Sequence, residues 1–284
     1  MSIHGSKPQA ALRLTKPRNV TEKPDSGKLE RFGLGRAGGS AHLARTMMLH
    51  ELSRLLESVP DASSPNTAYI EAIELDNCLG KRSAQTRALT KRHLADLYSL
   101  NPEHVVFRAL RFFWQRDPEG RRLLACLCAC ARDSMLRASA PFVLNLPEGQ
   151  AFSGEALGQF VEGLYPGRFS KATLGSAVRN LASSWAQAGH LSGQVRKVRS
   201  RATATAGAVA FAMLLGYLSG ERGETLFTSK YAKILDCSPE RAMELAETAS
   251  RRGWIVFKRV GSVMEVVFPV LLTAAEMEWI REPS

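Results

Sequence analysis

Apolar residues in the first half of the chain recur at the three- and four-residue spacings of amphipathic helices. Capping residues or prolines precede each apolar run, and short polar stretches separate the runs. The pattern predicts five helices in succession, at residues 40–58, 64–79, 83–100, 101–114 and 117–138. Consecutive helices with short connections are typical of a helical bundle.

The second half of the chain alternates helices with short β-rich segments. Ser153 and Ser170 are the N-caps of two predicted helices that end at Tyr165 and Ala188, and residues 194–199 follow as a candidate strand. Helix, turn, helix and strand is the order of a winged helix. The order is repeated by predicted helices at 228–235 and 238–252, a hairpin formed by 254–260 and 263–268, and a last helix at 273–280.

Residues 202–218 are almost wholly apolar or small. This composition is compatible with either a membrane-spanning helix or a buried helix. The segment contains Thr203, Thr205, Gly207 and Gly216. It has the minimum length for crossing a bilayer, about 17 residues. We therefore predict a buried central helix and no membrane partner.

Residues 1–39 differ in composition from the rest. They are rich in Lys, Arg, Pro, Gly and Ser and lack the apolar core of a signal peptide. We predict a disordered basic arm at 1–39, an N-terminal helical bundle at 40–150 and a winged-helix-like region at 151–284. The predicted fold class is mainly α, a helical bundle with winged-helix elements and a small C-terminal β-hairpin.

Charge narrows the choice of partner. The 284 residues carry a net charge of +11, and residues 163–220 contain no Asp or Glu. The basic residues of that stretch are Arg168, Lys171, Arg179, Arg196, Lys197, Arg199 and Arg201. An acid-free stretch with this many cations favours a polyanionic partner, because surfaces of soluble proteins normally mix both signs. Part of the stretch is the apolar helix, which explains the missing acids there but not the basic cluster beside it.

Candidate catalytic and metal-binding residues are few. Cys126, Cys128 and Cys130 lie in an apolar run and lack partners at metal-ligand spacing, so we predict that they belong to the core. The six histidines are scattered, and no nucleophile elbow or phosphate-loop sequence occurs. We therefore predict no enzymatic activity, no metal and no cofactor. The odd count of five cysteines argues against a disulfide framework and favours a reducing cytoplasm.

The basic residues supply the candidate site. In the first winged-helix outline, Ser170, Lys171 and Thr173 occupy the start of the second helix, where a phosphate would bind, and Arg179 and Asn180 follow at positions that reach base edges. Packing within the domain, or docking of a protein, is the alternative role for Arg179 and Asn180. The cations predicted to hold the DNA backbone from the wing are Arg196, Lys197, Arg199 and Arg201.

A second basic cluster lies in the third predicted helix and the turn before it. Its predicted contact residues are Lys81, Arg82, Arg87 and Lys91, with Arg92 and His93 beside them. A solvated helix face and a nucleic-acid-binding face explain this cluster equally well.

Two stretches of the chain resemble the BrxA proteins of BREX phage-defence systems. The first is the run of residues 77–86, Asn-Cys-Leu-Gly-Lys-Arg-Ser-Ala-Gln-Thr. The second combines residues 169–174, Phe-Ser-Lys-Ala-Thr-Leu, with Arg-Asn-Leu at 179–181 and Gly-His-Leu at 189–191. Phe169 stands where the family pattern has Trp, and Gly175-Ser176-Ala177 departs from the basic residue usual before Arg179.

The resemblance covers residues 45–268 in order and layout. It implies a non-enzymatic helical protein, similar in part to the NusB antitermination fold, that binds DNA. It also implies partners encoded beside it, a methyltransferase and an alkaline-phosphatase-like protein. We therefore expect a cytoplasmic duplex-DNA-binding subunit of a phage-defence assembly. The alternatives are a protein-interaction scaffold within such an assembly and an RNA-binding protein of the antitermination type.

Overall fold

The computed structural model describes residues 26–35, 40–261 and 263–281, and these residues are mainly helical. The helices of the first half are α1 Ser26–Arg31, α2 Leu49–Ser58, α3 Asn66–Glu74, α4 Ala84–Tyr98, α5 Val105–Arg116, α6 Arg121–Arg132 and α7 Ser134–Leu144. Those of the second half are α8 Gly154–Leu164, α9 Lys171–Ala188, α10 Ala206–Leu218, α11 Lys230–Ile234, α12 Pro239–Arg251 and α13 Ala274–Arg281. Short 3-10 helices span Ala41–Leu43, Pro118–Gly120 and Gly223–Phe227.

Two small antiparallel hairpins complete the described fold. Strands β1 Leu191–Ser192 and β2 Val198–Arg199 pair with each other, and Ala151 bridges to Val198. Strands β3 Val256–Val260 and β4 Val263–Val267 form the second hairpin. Each hairpin follows two helices, α8 and α9 in the first case and α11 and α12 in the second. The predicted mainly α fold with a small C-terminal hairpin is confirmed.

Helix α10 lies at the centre of the molecule. It contacts α5, α6, α11 and α12, and all of its residues except Tyr217 are buried. The prediction of a buried helix is therefore confirmed, although the helix begins at Ala206 rather than Ala202. Among the described residues, no helix combines the length and the apolar character that crossing a bilayer requires.

The start of α10 is set by a buried carboxylate. Asp117, which follows α5, accepts hydrogen bonds from the Thr205 hydroxyl at 2.5 Å and from the Gly207 backbone N–H at 2.8 Å. An anion at this position is stabilised by the unpaired N–H groups at the start of a helix. Because Asp117 lies directly over Gly207, a Cβ at residue 207 would overlap its side chain.

We expect Gly207→Ala to lower the free energy of unfolding by about 1–3 kcal/mol, since the added methyl must displace Asp117. Gly163→Ala in α8 is the matched control, because no atom lies within 4 Å of the position that its Cβ would take. There, alanine is expected to be neutral or to stabilise the helix by up to about 1 kcal/mol. Urea denaturation of both variants tests the difference, and equal midpoints would contradict this account of Gly207.

The buried apolar residues of both halves form one continuous core. Helix α9 packs on α6, α7 and the 3-10 helix Ala41–Leu43, and α10 packs on α5 and α6. The predicted boundary at residue 150 therefore does not separate two cores.

Several predicted helix boundaries are wrong. Ser40 caps only the 3-10 helix, because α2 begins after Met48, which has a left-handed backbone with φ 53°. The predicted helix at 64–79 ends at Glu74. The predicted helix at 117–138 is divided between α6 and α7, because the Asp133 carboxylate caps α7 by accepting from the Met135 and Leu136 N–H groups.

Part of the predicted basic arm is folded. Phe32 and Leu34 are buried in the core, and the Gly35 N–H donates to the Ala131 carbonyl at 2.9 Å. The prediction of a disordered arm is therefore wrong for residues 26–35. Residues 1–25 and 36–39, the remainder of the predicted arm, lie outside the described residues.

Candidate nucleic-acid interface

Helix α9 carries the first group of predicted contact residues. The Ser170 hydroxyl accepts from the Thr173 N–H at 3.2 Å and lies 2.9 Å from the Thr173 hydroxyl, so both side chains form the N-cap. At the other end the chain leaves the helix at Gly189, whose φ of 98° suits glycine. Both boundaries agree with the sequence prediction.

The solvent side of α9 presents cations separated by small residues. Lys171 and Arg179 are exposed and stand at positions i and i+8 of one helical ridge, with Gly175 between them. One guanidinium nitrogen of Arg179 donates to the Ser176 hydroxyl at 2.9 Å. The guanidinium of Arg179 therefore lies back over Gly175, where a Cβ would come within 3.5 Å of it, and it remains on the exposed side of the helix.

Asn180 faces the protein rather than solvent. It is half-buried, and its side-chain amide donates to the His42 carbonyl at 3.0 Å. The structure therefore supports the packing alternative for Asn180, whereas neighbouring Arg179 is exposed. The prediction that Asn180 reaches base edges is not supported by this geometry.

The hairpin β1–β2 forms the first wing. Arg196 is exposed at its tip, and the Lys197 ammonium reaches back to the Gln194 carbonyl at 3.3 Å. Arg201, beyond the hairpin, is exposed and lies 3.6 Å from a carboxylate oxygen of Glu148. Arg196 and Lys197 therefore remain the two cations of this wing that are available to a partner.

Arg199 does not belong to the exposed wing. Its side chain is 5% exposed and forms a bidentate ion pair with Asp236, with distances of 2.9 and 2.6 Å. Asp236 lies in the turn between α11 and α12 and also accepts from the Ala202 N–H at 2.9 Å. The prediction that Arg199 contacts DNA is wrong for this reason, since its guanidinium joins the base of the wing to the turn between α11 and α12.

His190 lies beside this ion pair and is fully buried. Its Nε2 is 2.9 Å from the Ile234 carbonyl, and its ring meets Trp185 edge to face. Burial lowers the pKa of His190 from 6.5 to about 4, although the Ile234 carbonyl and Asp236 act in the opposite direction. The folded protein therefore holds this imidazole neutral at pH 7.

We expect a loss of stability between pH 6.5 and pH 4 that depends on His190. In that window the unfolded chain binds a proton that the folded chain does not, so the free energy of unfolding falls as pH falls, by up to about 3 kcal/mol. Burial also lowers the pKa values of His93 and His104, which act in the same direction. Urea denaturation at pH 7.0 and 4.5 should show a smaller pH effect in His190→Gln than in the parent, and an unchanged pH effect would contradict this assignment.

The second predicted cluster, on α4 and the turn before it, is largely neutralised within the chain. Lys81 pairs with Glu51 at 3.1 Å, and Lys91 pairs with Glu74 at 2.8 Å. Arg87 is half-buried, and its Nε has no hydrogen-bond partner among the described residues. Arg82 alone of the four predicted contact residues here is exposed without an ion pair to a described acid. The geometry therefore favours the solvated-face alternative for most of this cluster.

Arg45 is a cation that the sequence reasoning missed. It is exposed, and it is close enough to His93 of α4 to help lower the pKa of that imidazole, after the larger effect of burial. The segment that carries Arg45 is held to α9 by the Asn180 contact with His42. Its signal in the sequence is a second acid-free stretch, residues 31–50.

A buried Asp–His–Ser chain lies beneath α9. His42 Nδ1 is 3.0 Å from an oxygen of Asp133, and His42 Nε2 is 3.0 Å from the Ser184 hydroxyl. These are the distances of a hydrolytic triad. However, all three residues are buried, and the Ser184 hydroxyl donates to the Asn180 carbonyl and accepts from the Met47 N–H. The chain of contacts therefore holds the segment before α2 against α9 and offers no accessible nucleophile.

Asp133 is ionised in this buried position. Burial alone would raise the pKa of its carboxyl, but the hydrogen bond and charge of His42, the Leu136 N–H and the Ser40 hydroxyl hold that pKa well below its usual range. Ionised Asp133 therefore contributes to the free energy of unfolding above about pH 3.9, the pKa of an aspartate in the unfolded chain. This contribution is lost as the pH falls further and the carboxylate becomes protonated.

The cysteines predicted to be core residues are buried. Cys126, Cys128 and Cys130 have no exposed surface, and burial raises the pKa of the Cys128 thiol to about 12. Within the described residues, no group of three or more His, Cys, Asp or Glu side chains is placed to hold a metal ion.

A polar cavity of about 740 Å³ lies where α4 meets α5. In its wall, the Ser99 hydroxyl is 2.5 Å from His104 Nδ1. The two lining cations are already engaged, Lys91 by Glu74 and Arg132 by the carbonyls of residues 95 and 96. The cavity therefore offers no uncommitted lysine or arginine to an anionic ligand.

Arg45, Lys171, Arg179, Arg196 and Lys197 are exposed or half-exposed on α9 or on segments that contact it, and we call these five cations the basic face. Among the described residues, none of them forms an ion pair with an acid. They lie on α9, on the hairpin that packs against its C-terminal end and on the segment bound to Asn180. These features define a mainly helical protein in which two pairs of consecutive helices, α8–α9 and α11–α12, are each followed by a hairpin, and in which the exposed cations of α9 lack acid partners among the described residues.

Comparison of the chain with protein-family models, with curated protein sequences and with solved structures finds no match.

Proposed function

We propose that this protein binds duplex DNA through the basic face. The observation that carries the proposal is a contrast in charge pairing between the exposed cations of α9 and those of α12. On α12, exposed Arg241 pairs with Glu244 at 2.7 Å, and Arg251 lies 3.9 Å from Glu247. The cations of α9 and its wing have no such partners among the described residues, so they retain full attraction for phosphate.

The proposed activity is binding without catalysis. The described residues with triad-like distances are buried and engaged with backbone groups, as shown for Ser184. We also propose that the protein acts as a cytoplasmic subunit of a BREX-type phage-defence assembly, alongside the methyltransferase and phosphatase-like proteins of such systems. The resemblance of residues 77–86 and 169–191 to the BrxA proteins supports this assignment.

Binding should be strongly salt-dependent. If each cation of the basic face neutralises one phosphate, log K falls with log salt at a slope of about −4.5. Fluorescence anisotropy with a labelled random duplex at about 50 and 200 mM salt measures this slope, and five contacts predict a loss of several hundredfold. Binding that is indifferent to salt would overturn the proposal.

The same titration distinguishes a protein that binds duplex DNA from the alternative, a protein that binds RNA. Unlabelled duplex DNA, single-stranded DNA and duplex RNA are added as competitors at equal nucleotide concentration. We expect duplex DNA to compete best. Stronger competition by RNA would instead support a protein of the antitermination type.

A protein partner is the second candidate, and the β3–β4 hairpin favours it. Val260 and Val263 flank the turn of this hairpin and are 79% and 70% exposed. Val260 and Val263 also pair with each other across the hairpin, and two adjacent exposed apolar side chains suit a protein surface better than a phosphate backbone. Val260→Ser combined with Val263→Ser should leave DNA affinity unchanged while weakening any such protein contact.

A further inference from the structure

The tip of the first wing carries an unusual combination of side chains. Residues 193–197 connect β1 to β2. Val195 is 98% exposed, and Arg196 beside it is exposed without an ion pair to a described acid. An apolar β-branched side chain held fully in water gains nothing from folding, and here it lies beside a cation that is free to bind an anion.

The base of this wing is held rigidly. The Phe152 N–H donates to the Lys197 carbonyl at 2.9 Å, and the Arg199 N–H donates to the Gln150 carbonyl at 2.8 Å. Below them, the buried ion pair of Arg199 with Asp236 joins the hairpin to the turn between α11 and α12. The tip is therefore a projection from a fixed base, which keeps the ordering cost of binding low.

The tip is also narrow. Gly193 has a φ of 92°, and the Arg196 carbonyl occupies the space that a side chain at residue 193 would need. The two sides of the turn are thus in backbone contact. Only the side chains of Gln194, Val195 and Arg196 extend from it into solvent.

This shape and chemistry match the minor groove of B-form DNA. The groove is about 6 Å wide, its floor presents adenine N3 and thymine O2 acceptors, and its walls are apolar deoxyribose. A-tracts narrow the groove and deepen its negative potential, which attracts an inserted arginine. Proteins that bind the minor groove also place apolar side chains against the duplex, frequently as wedges between base steps.

We propose that the wing tip enters the minor groove of duplex DNA, with Arg196 along its floor and Val195 against the deoxyribose wall. This inference rests on the proposed function and adds the kind of duplex that is preferred. The wing then favours A·T-rich DNA, while Lys171 and Arg179 contact phosphates without reading sequence. Duplex RNA is disfavoured, because the minor groove of A-form RNA is wide and shallow.

Three duplexes of equal length test the inference: an A·T-rich DNA, a G·C-rich DNA and an RNA. Binding of the full chain is measured by anisotropy, with and without distamycin, a ligand that occupies A·T minor grooves. We expect the A·T-rich DNA to bind about tenfold more tightly than the G·C-rich DNA, and distamycin to remove that advantage.

Two variants locate the effect at the tip. Arg196→Lys keeps the charge but loses the planar guanidinium, and it should bring the A·T-to-G·C affinity ratio close to one without changing the salt slope. Val195→Ser should reduce the same ratio partially. Arg179→Lys is the matched control on α9, where the same conservative change should leave the ratio as it is.

The outcomes separate this inference from the proposed function. Salt-dependent duplex binding with equal A·T and G·C affinities and no response to distamycin would overturn the minor-groove inference alone. Duplex RNA bound as tightly as A·T-rich DNA would also overturn it. Absence of salt-dependent duplex binding at about 50 mM salt would overturn both.

Discussion

Replacing Lys171, Arg179, Arg196 and Lys197 together by alanine should lower the affinity for duplex DNA about a thousandfold or more at 0.1 M salt, if each neutralises one phosphate charge. The physical reason is the loss of the counterion release that these four cations cause, whether they contact phosphates or lie in a groove. The slope of log K against log salt should become less negative by about 3.6. Arg179→Ala alone should make this slope less negative by about the amount that one phosphate contact contributes. Anisotropy titrations at four or five salt concentrations measure both quantities.

The fold should survive these substitutions. All four side chains lie on the surface, and such changes usually alter stability by less than about 0.5 kcal/mol each. Arg241→Ala with Arg251→Ala is the matched control, because it removes two exposed arginines that pair with Glu244 and Glu247. A quadruple variant that keeps the parental salt slope and melts at the parental temperature would show that DNA is bound elsewhere, with Arg82 on the turn before α4 as the next residue to test.

Asp236→Ala should lower the free energy of unfolding by about 3–5 kcal/mol, since it leaves the Arg199 guanidinium buried without its carboxylate. The Ala202 N–H loses its acceptor in the same variant. This is a large fraction of the 5–15 kcal/mol that typically stabilises a folded protein. Urea denaturation followed by circular dichroism measures the loss.

A second variant distinguishes an unpaired charge from a general packing defect. Asp236→Ala combined with Arg199→Met removes both charges and keeps most of the buried volume, so it should recover part of the lost stability. The exposed pair Arg241 with Glu244 is the comparison, and breaking it should cost less than about 1 kcal/mol. A loss below about 1 kcal/mol in Asp236→Ala would contradict the proposed role of this ion pair.

Helix positions were predictable wherever the signal is local. Helix α9 begins after Ser170 and ends at Gly189, as the capping preferences of serine and glycine indicate. Ser83 and Ser153 likewise cap the starts of α4 and α8. These residues act within one turn of their own position, so the sequence around them contains the whole interaction. The division between α6 and α7 was missed because the apolar pattern continues through it and the cap is formed by a single carboxylate, Asp133.

The candidate site was predictable only in part. The acid-free stretch correctly indicated where cations would be left without partners, on α9 and its wing. It did not distinguish Arg196 from Arg199, three residues apart, because the burial of Arg199 depends on Asp236, which lies far along the chain in the turn between α11 and α12. It also missed Arg45, whose position near α9 depends on a hydrogen bond between His42 and Asn180.

The helical character of this protein, the burial of α10 and the net charge that favours an acidic partner can all be read from the amino-acid sequence. Each of these follows from residue type, apolar spacing and local caps, which act over a few residues. Which cations are free depends instead on the assembled fold. Lys81 and Lys91 meet Glu51 and Glu74 across separate elements, whereas Lys171 and Arg179 meet no acid among the described residues. Charge pairing depends on distances between side chains that are remote in the chain, and those distances exist only once the core has assembled.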